Sequence, residues 1–255
     1  MIDFTGKTVL ITGGSRGIGA ACARLFAQCG ANVAINYWSR ADKINPGSAE
    51  RLRDEIIENG GSAQIYNANI TNEDHLKAML ENIRADFSSV THLVLNAYLP
   101  FTPKALLDYE WEEFEKKVNS DIKSFFILAK LFLPDMIANK EGVVIGVSSG
   151  MGRRPNPHFS PYSLSKAALN SFIRSIAVEY GHCGIRANVV APGFTLTDPN
   201  KVVSQEDRDS IADITPLDRI AQPEDIASAI VMMASDNAKF VSGGYLPVDG
   251  GLTIL

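Results

Sequence analysis

The chain has 255 residues, 45% of them hydrophobic and 21% charged, which predicts a single domain over residues 1–255 and excludes a disordered or low-complexity chain. Its net charge of -5, with 24 basic residues against 29 acidic ones and no long basic run, argues against a nucleic-acid partner. Three cysteines among apolar neighbours predict reduced thiols in a cytoplasmic protein, and no Cys/His cluster has the spacing of a metal site. No stretch reaches about 20 apolar residues, so we expect no membrane partner, and we expect no signal peptide.

Short β-branched segments alternate with longer segments of helical period, which is the pattern of βαβ units. The first strand is predicted at residues 8–12, and the helix after it ends at Gly30. Further strands are predicted at residues 32–36, 63–66, 92–96, 142–148, 186–191 and 245–248. Because these strands are apolar throughout, helices are expected on both faces of the sheet. The sequence thus predicts an α/β fold, a single doubly wound, Rossmann-like domain with a seven-stranded parallel sheet.

A glycine-rich segment, residues 12–19, joins the first strand to the first helix. Glycines let the backbone approach a pyrophosphate, and the helix N-terminus offers free N–H groups. The spacing G-x-x-x-G-x-G differs from the common fingerprint, but the strand before it and the helix after it favour a dinucleotide site over a plain tight turn. The predicted contacts in this segment are Gly13, Ser15, Arg16, Gly17, Ile18 and Gly19.

The end of the second strand predicts which dinucleotide binds. In NAD-binding sheets an acidic residue about 20 residues beyond the glycines takes the ribose hydroxyl. Residues 36–40 read NYWSR and contain no acid, whereas Ser39 and Arg40, beside Tyr37 and helped by Arg16, suit a 2′-phosphate. We therefore expect NADPH; the alternative is that Arg16 and Arg40 are solvated surface charges.

Tyr162 and Lys166 lie four residues apart in a predicted helix whose first turn contains Pro161. This spacing puts both side chains on one helix face, where the ammonium is expected to lower the phenol pKa from its usual value of about 10. A Y-x-x-x-K match alone occurs by chance in many proteins. Its position, after the fifth strand of a sheet that begins with a nucleotide loop, favours a catalytic pair.

The glycine loop, Tyr162 with Lys166, residues 192–193 (PG) and residues 248–251 (VDGG) together resemble the short-chain dehydrogenase/reductase family over essentially the whole chain. The resemblance implies a catalytic serine thirteen residues before the tyrosine, which is Ser149, with Ser148 as the fallback. It also implies an asparagine in the helix after the fourth strand, and Asn119 fits that description.

The mechanism implied by the family is hydride transfer from NADPH to a carbonyl carbon. Tyr162 then gives the proton to the oxygen, and Ser149 hydrogen-bonds that oxygen. Lys166 holds the ribose hydroxyls and lowers the Tyr162 pKa, while Asn119 holds a water that resupplies the proton.

The resemblance extends the cofactor site to further segments. The residues it implies are Asn69, Ile70, Asn96, Ala97, Pro192, Gly193, Thr195 and Thr197. Two of these segments depart from the family pattern: Asn69 stands where an Asp commonly meets the adenine, and Tyr98 replaces the usual Gly after Asn96 and Ala97. Tyr98 either alters the packing beside the adenine-side ribose or projects into the substrate cleft.

Among the members of the family, 3-oxoacyl-acyl-carrier-protein reductases resemble this chain most, through residues 191–194 and 218–225. A mobile lid is expected at about residues 195–217. The candidate substrate contacts are Tyr98, Met151, His158, Phe159 and Phe194, with His158 a rim residue rather than a base. The expected substrate is a 3-oxoacyl thioester or a related ketone, carrier-bound or a small molecule. Cys183 stands where those enzymes often carry Arg, which leaves another small ketone of secondary metabolism as the alternative.

Two further expectations concern assembly and class. The helices near Asp108 and Tyr162 and the C-terminal segment carry more apolar residues than one sheet face uses, and by resemblance they would pair subunits into a homotetramer. A non-catalytic NADPH-binding sensor is the alternative to an enzyme. Such proteins typically lose the tyrosine or the lysine, whereas both are present here.

Overall fold

The structure is a computed structural model that describes residues 2–39, 47–197 and 203–253. Seven parallel strands form one sheet. They are β1 Thr8–Ile11, β2 Asn32–Tyr37, β3 Ser62–Asn67, β4 His92–Leu95, β5 Gly142–Val147, β6 Ile185–Pro192 and β7 Tyr245–Val248. The spatial order is β3-β2-β1-β4-β5-β6-β7, which reverses direction between β1 and β4. The predicted doubly wound fold is confirmed, and this reversal is where such sheets bind their ligands.

All seven predicted strands are present, and their ends differ from the prediction by at most one residue. For example, β6 extends one residue further at both ends than the predicted 186–191. Strand ends depend on pairing with the neighbouring strand, as where Pro192 of β6 faces Val248 of β7, and the sequence of one strand alone does not show this pairing.

Helices cover both faces of the sheet, as predicted. They are α1 Gly17–Gln28, α2 Gly47–Glu58, α3 Glu73–Phe87, α4 Trp111–Asn139, α5 Ser160–Tyr180, α6 Gln205–Asp213 and α7 Pro223–Ala234. Among the described residues, every helix is too short or too polar to cross a bilayer. The three cysteines are free thiols.

The sheet separates two hydrophobic cores. Along β1, Val9 and Ile11 face the core that contains Phe26 of α1, whereas Leu10 faces the core that contains Phe132 of α4. All five side chains are at most 1% exposed. Burial on both faces explains why the strands read as continuous apolar runs rather than alternating ones.

The loops after β1, β2, β4, β5 and β6 meet at the carboxyl edge of the sheet and build the site described below. Of the segment expected to be a lid, about residues 195–217, residues 198–202 lie outside the described residues; its helix α6 has no buried residue. Its closure over a substrate stays a prediction.

Candidate active site

The glycine loop makes a tight turn between β1 and α1. Gly13 and Gly17 have φ angles of 63° and 53°, in the left-handed region that favours glycine. A Cβ added to Gly19 would lie 2.4 Å from the backbone oxygen of Gly13, so no side chain fits there. The first turn of α1 contains no acidic residue. Arg16 occupies the N-cap position, and its side chain makes no capping hydrogen bond to the N–H groups of that turn. This loop suits a bound anion such as a pyrophosphate.

Two asparagines at strand ends hold this loop in place. The half-buried Asn96 donates from Nδ2 to the backbone oxygens of Thr12 (2.9 Å) and Gly13 (3.2 Å). Asn36, which is 1% exposed, accepts from the Gly14 N–H through its backbone oxygen at 2.8 Å. Asn96 is a predicted cofactor contact, but its side-chain NH₂ group is already hydrogen-bonded to the glycine loop. Asn36 Oδ1 also accepts from the Gly13 N–H at 3.4 Å. This role of Asn36 was missed, although a polar side chain at the end of an apolar strand was a visible signal.

The remaining loop residues lie beside this turn. Arg16 is exposed, and Ser15 and Ile18 are half-buried next to the start of α1. Ala97 packs directly on the turn, because a Cβ at Gly13 would lie 3.1 Å from the Ala97 Cβ.

The segment after β2 lies at the edge of the same site. Tyr37 and Ser39 are half-buried, and the Ser39 N–H donates to Asn67 Oδ1 at 3.1 Å. Arg40, predicted to bind a 2′-phosphate, lies outside the described residues. This part of the cofactor prediction therefore depends on Tyr37, Ser39 and Arg16.

The segment after β3 contains two predicted cofactor contacts, Asn69 and Ile70. Asn69 Oδ1 accepts from both the N–H (3.0 Å) and the hydroxyl (2.9 Å) of Thr71, so that oxygen is used locally. The side chain of Ile70 is buried in the core that contains Leu10. Any contact of Ile70 with a cofactor must therefore come from its backbone.

The loop after β6 brings the other end of the predicted cofactor site close to the glycine loop. The Gly193 N–H donates to the Val248 oxygen at 3.0 Å, directly after the buried Pro192 that ends β6. Thr195 is buried and its hydroxyl donates to the Gly193 oxygen at 3.1 Å. A Cβ at Gly17 would lie 3.1 Å from Thr197 Cγ2. The two predicted segments are thus neighbours in space.

Tyr162, Lys166 and Ser149 come together at the edge of the sheet between β5 and α5. Lys166 Nζ lies 5.6 Å from the centroid of the Tyr162 ring and donates to the Val147 oxygen at 2.8 Å. The Ser149 side chain lies close enough to the Tyr162 phenol to act on its pKa. Ser148, the fallback serine, is instead buried with its hydroxyl on the Lys166 backbone oxygen at 3.4 Å. The geometry favours Ser149 as the serine of the cluster.

The pKa values in this cluster reflect burial. Burial raises the pKa of Tyr162 to about 12, against the effect of the Ser149 side chain, which lowers it. Burial lowers the pKa of Lys166 to about 8. The prediction that Lys166 lowers the Tyr162 pKa is therefore wrong for this structure, because desolvation of the phenolate outweighs an ammonium that bonds to Val147 instead. The phenol stays protonated at neutral pH, as a proton donor must.

The structure does not support the prediction that Asn119 belongs to the catalytic cluster. It lies on the exposed side of α4, where its Nδ2 donates to Glu115 Oε1 at 2.9 Å, and the structure does not bring it to Tyr162. The buried face of α4 presents Lys117 and Asp121 instead, joined by an ion pair of 2.6 Å. Residues two positions apart on a helix are rotated by about 200°, so Asn119 and Asp121 face opposite ways.

An aromatic wall surrounds Tyr162. Phe101 stacks on the Tyr162 ring with centroids 5.5 Å apart and planes at 12°. Tyr98 and Phe159 make edge contacts with the same ring, at 6.0 and 6.4 Å. The Tyr98 ring thus lies on the Tyr162 side of its loop, which favours the substrate-cleft role of the two considered for it. Phe101 was missed, because it lies in an irregular loop with no periodic pattern.

The other candidate substrate residues are spread around this wall. The Met151 N–H donates to Ser149 Oγ at 3.2 Å, which places Met151 beside the cluster. His158 is exposed with φ 70°, and its backbone oxygen accepts from the Lys104 N–H at 3.1 Å, as suits a rim residue. Phe194 lines a separate cavity of about 210 Å³ that also includes Leu217.

Comparisons with known proteins agree with this geometry. A family model described as enoyl-(acyl carrier protein) reductase matches residues 13–253. The 3-oxoacyl-acyl-carrier-protein reductase of Staphylococcus aureus is 33% identical over 246 residues, covering 96% of this chain and 98% of that protein. The 3beta-hydroxysteroid dehydrogenase 1 of Eggerthella lenta is 34% identical over 259 residues, covering 99% and 95%.

A solved structure shows the same fold. It is a 7 alpha-hydroxysteroid dehydrogenase complexed with NADH and 7-oxo glycochenodeoxycholic acid, 34% identical in sequence, with a TM-score of 0.90 over 98% of this chain and 95% of that one. Sequence, fold and site geometry lead to one conclusion: the chain belongs to the short-chain dehydrogenase/reductase family of oxidoreductases, whose members bind a nicotinamide cofactor.

Proposed function

We propose that this protein uses NADPH to reduce a ketone to a secondary alcohol, with Tyr162 as the proton donor. The observation that supports this most is the grouping of three side chains: Lys166 Nζ lies 5.6 Å from the centroid of the Tyr162 ring, and the Ser149 side chain lies beside the Tyr162 phenol. A neutral acid beside a buried cation is the arrangement that proton donation to a carbonyl oxygen requires.

The residues present fit a dinucleotide. The glycine loop leaves no space for a Cβ at Gly19 and presents the uncapped start of α1 to an anion, and Thr197 lies beside Gly17. When bound, the cofactor would supply the hydride. NADPH is proposed over NADH because residues 36–39 contain no acid and Arg16 is exposed near the loop.

The residues of the chain would each handle a proton or a charge. Ser149 would donate a hydrogen bond from its hydroxyl to the ketone oxygen, keeping its own proton, and hold that oxygen beside Tyr162. The phenol proton of Tyr162 would then move to the oxygen as negative charge develops on it. Lys166, with a pKa of about 8, is mostly charged at neutral pH and would stabilise the phenolate that remains.

A 3-oxoacyl thioester is the first substrate class we propose, since a 3-oxoacyl-acyl-carrier-protein reductase covers nearly the whole chain at 33% identity. The aromatic wall favours a second candidate, a ketone on a flat apolar ring system. The exposed Tyr98 and the rings of Phe101 and Phe159 offer π-faces and edges that such a ring would contact. Hydroxysteroid dehydrogenases among the relatives act on molecules of that shape.

The test is the initial rate of NADPH oxidation with an acetoacetyl thioester and with a polycyclic ketone, with NADH as the paired control. Tyr162→Phe is expected to reduce turnover by a factor of about 10² or more with unchanged NADPH affinity. Tyr180→Phe, at the far end of the same helix, is the matched control. Unchanged turnover in Tyr162→Phe would reject the proposed donor, and NADPH binding without any ketone reduction would favour a sensor.

A homotetramer in the cytoplasm is part of the same proposal. Large apolar side chains are exposed on α4 and α5, which supports subunit contacts there. They are Trp111, Phe126, Leu164 and Val178. Sedimentation at micromolar concentration is expected to show a tetramer, and a monomer would contradict the proposal.

A further inference from the structure

A buried ion pair on α4 binds both backbone polar atoms of one residue, Leu99, in the loop after β4. Lys117 Nζ donates to the Leu99 backbone oxygen at 2.6 Å, and Asp121 Oδ1 accepts from the Leu99 N–H at 3.0 Å. The pair itself is closed by Lys117 Nζ and Asp121 Oδ2 at 2.6 Å, with side chains only 3% and 1% exposed. Both polar atoms of the Leu99 backbone are thus fixed by one helix.

This grip sets the position of the aromatic wall. Leu99 lies between Tyr98 and Phe101 in the chain, so holding its backbone orients both rings toward Tyr162. The Lys117 ammonium also contacts the rings directly, at 5.1 Å from the Tyr98 centroid, 5.5 Å from Phe101 and 5.7 Å from Tyr162. Such distances lie within the range of cation–π attraction.

The pair also balances charge beside the reacting phenol. The groups that face Tyr162 are Lys166 on its own helix, Lys117 and Asp121 from α4, and the side chains of Tyr98 and Ser149. Lys117 and Asp121 carry opposite charges, so as a pair they add little net field at Tyr162. Loss of either member alone would leave an uncompensated charge in a site shielded from water.

We propose that Lys117 and Asp121 are positioning residues of the active site: they clamp Leu99 so that Tyr98 and Phe101 form one wall of the ketone pocket, and they keep the charge beside Tyr162 balanced. The kinetic part of this inference rests on the proposed ketone reduction. A buried ion pair often contributes nothing to stability over an apolar pair of similar size, so stability alone does not explain its retention.

Two variants separate the two roles. Asp121→Asn keeps an oxygen for the Leu99 N–H but removes the carboxylate charge, so the Lys117 ammonium stands alone beside Tyr162. The pH at which ketone reduction declines, as the phenol loses its proton, is expected to fall by about one unit. A pH profile identical to that of the wild type would overturn the charge role.

The double variant Lys117→Met with Asp121→Leu removes the clamp without leaving a lone buried charge, which guards against failure to fold. Its KM for the ketone is expected to rise about tenfold, with an unchanged Kd for NADPH and an almost unchanged pH profile. The matched control is Glu73→Gln with Lys77→Met, an exposed pair with the same spacing on α3. Its kinetics should equal those of the wild type.

Hydrogen exchange of the Leu99 amide tests the clamp without any turnover. Exchange is expected to accelerate about tenfold or more in the double variant, but to stay slow in Asp121→Asn and in the control pair. If the wild type reduces no ketone, the proposed function fails while the exchange measurement still decides the clamp. Unchanged Leu99 exchange together with an unchanged KM in the double variant would overturn the positioning role.

Discussion

Lys166 is expected to lower the stability of the fold that carries it. Its side chain is 3% exposed, and burial lowers its pKa from the ordinary 10.5 to about 8. The folded protein therefore binds fewer protons at Lys166 than the unfolded chain, so this group opposes folding as pH falls below 10.5, fully so below the folded pKa. Lys166→Met should make the protein more stable while abolishing turnover.

The magnitude follows from the pKa change. At 1.36 kcal/mol per unit, the buried ammonium disfavours folding by about 3 kcal/mol near neutral pH. Methionine has a similar length but cannot donate to the Val147 oxygen, and the lost hydrogen bond costs about 1 kcal/mol. We expect a net gain of about 2 kcal/mol in the free energy of unfolding near pH ~7, shrinking toward zero near pH ~10.

Urea denaturation of the cofactor-free protein at the two pH values, followed by circular dichroism, measures this gain. Lys77→Met, which removes a side chain that is 52% exposed, is the control and should change stability by less than about 1 kcal/mol. The reasoning is refuted if Lys166→Met is less stable than the wild type near neutral pH. It is also refuted if the difference between the two proteins does not depend on pH.

Three further changes test the cofactor loop, a buried histidine and the serine. Gly19→Ala puts a carbon 2.4 Å from a loop oxygen and should weaken NADPH binding about tenfold or more in a fluorescence titration, whereas Gly181→Ala, with no described atom within 4 Å of the new carbon, should bind normally. Burial lowers the His92 pKa to about 4, so stability should fall by about 3 kcal/mol between pH 6.5 and 4 in urea titrations, and His92→Gln should abolish that pH dependence. Ser149→Ala should reduce kcat by about 10² or more, whereas Ser148→Ala should leave kcat within about threefold and lower the melting temperature; equal effects on kcat would contradict the choice of Ser149.

The fold could be predicted from the sequence because its signals are local. The apolar strands, the helical periods and the glycine loop each lie within one segment, and right-handed crossovers then leave few ways to connect them. The proximity of Tyr162 and Lys166 could be predicted equally well from the sequence, since both residues belong to one helix.

Other parts of the site depend on contacts between segments. Near residue 119 the sequence offers Lys117, Asn119 and Asp121, and their order alone does not show which faces inward. Because Lys and Asp are usually exposed, their polarity predicts that Lys117 and Asp121 face solvent. In the structure they are instead buried as an ion pair. The predicted direction of the Tyr162 pKa shift was wrong for a related reason. The sequence shows a neighbouring ammonium, but it does not show how far the fold shields the phenol from water.

The bonds of Asn36 and Asn96 to the glycine loop have a consequence for how this enzyme can evolve. They hold the loop from the ends of β2 and β4, and the side chains of residues 37–39 take no part in these bonds. The loop proposed to hold the pyrophosphate is therefore fixed by bonds other than those of the side chains of residues 37–39, the segment proposed to meet the ribose. Under the proposed function, a lineage would exchange one dinucleotide for the other by substitutions in that short segment and leave the bonds that shape the glycine loop unchanged.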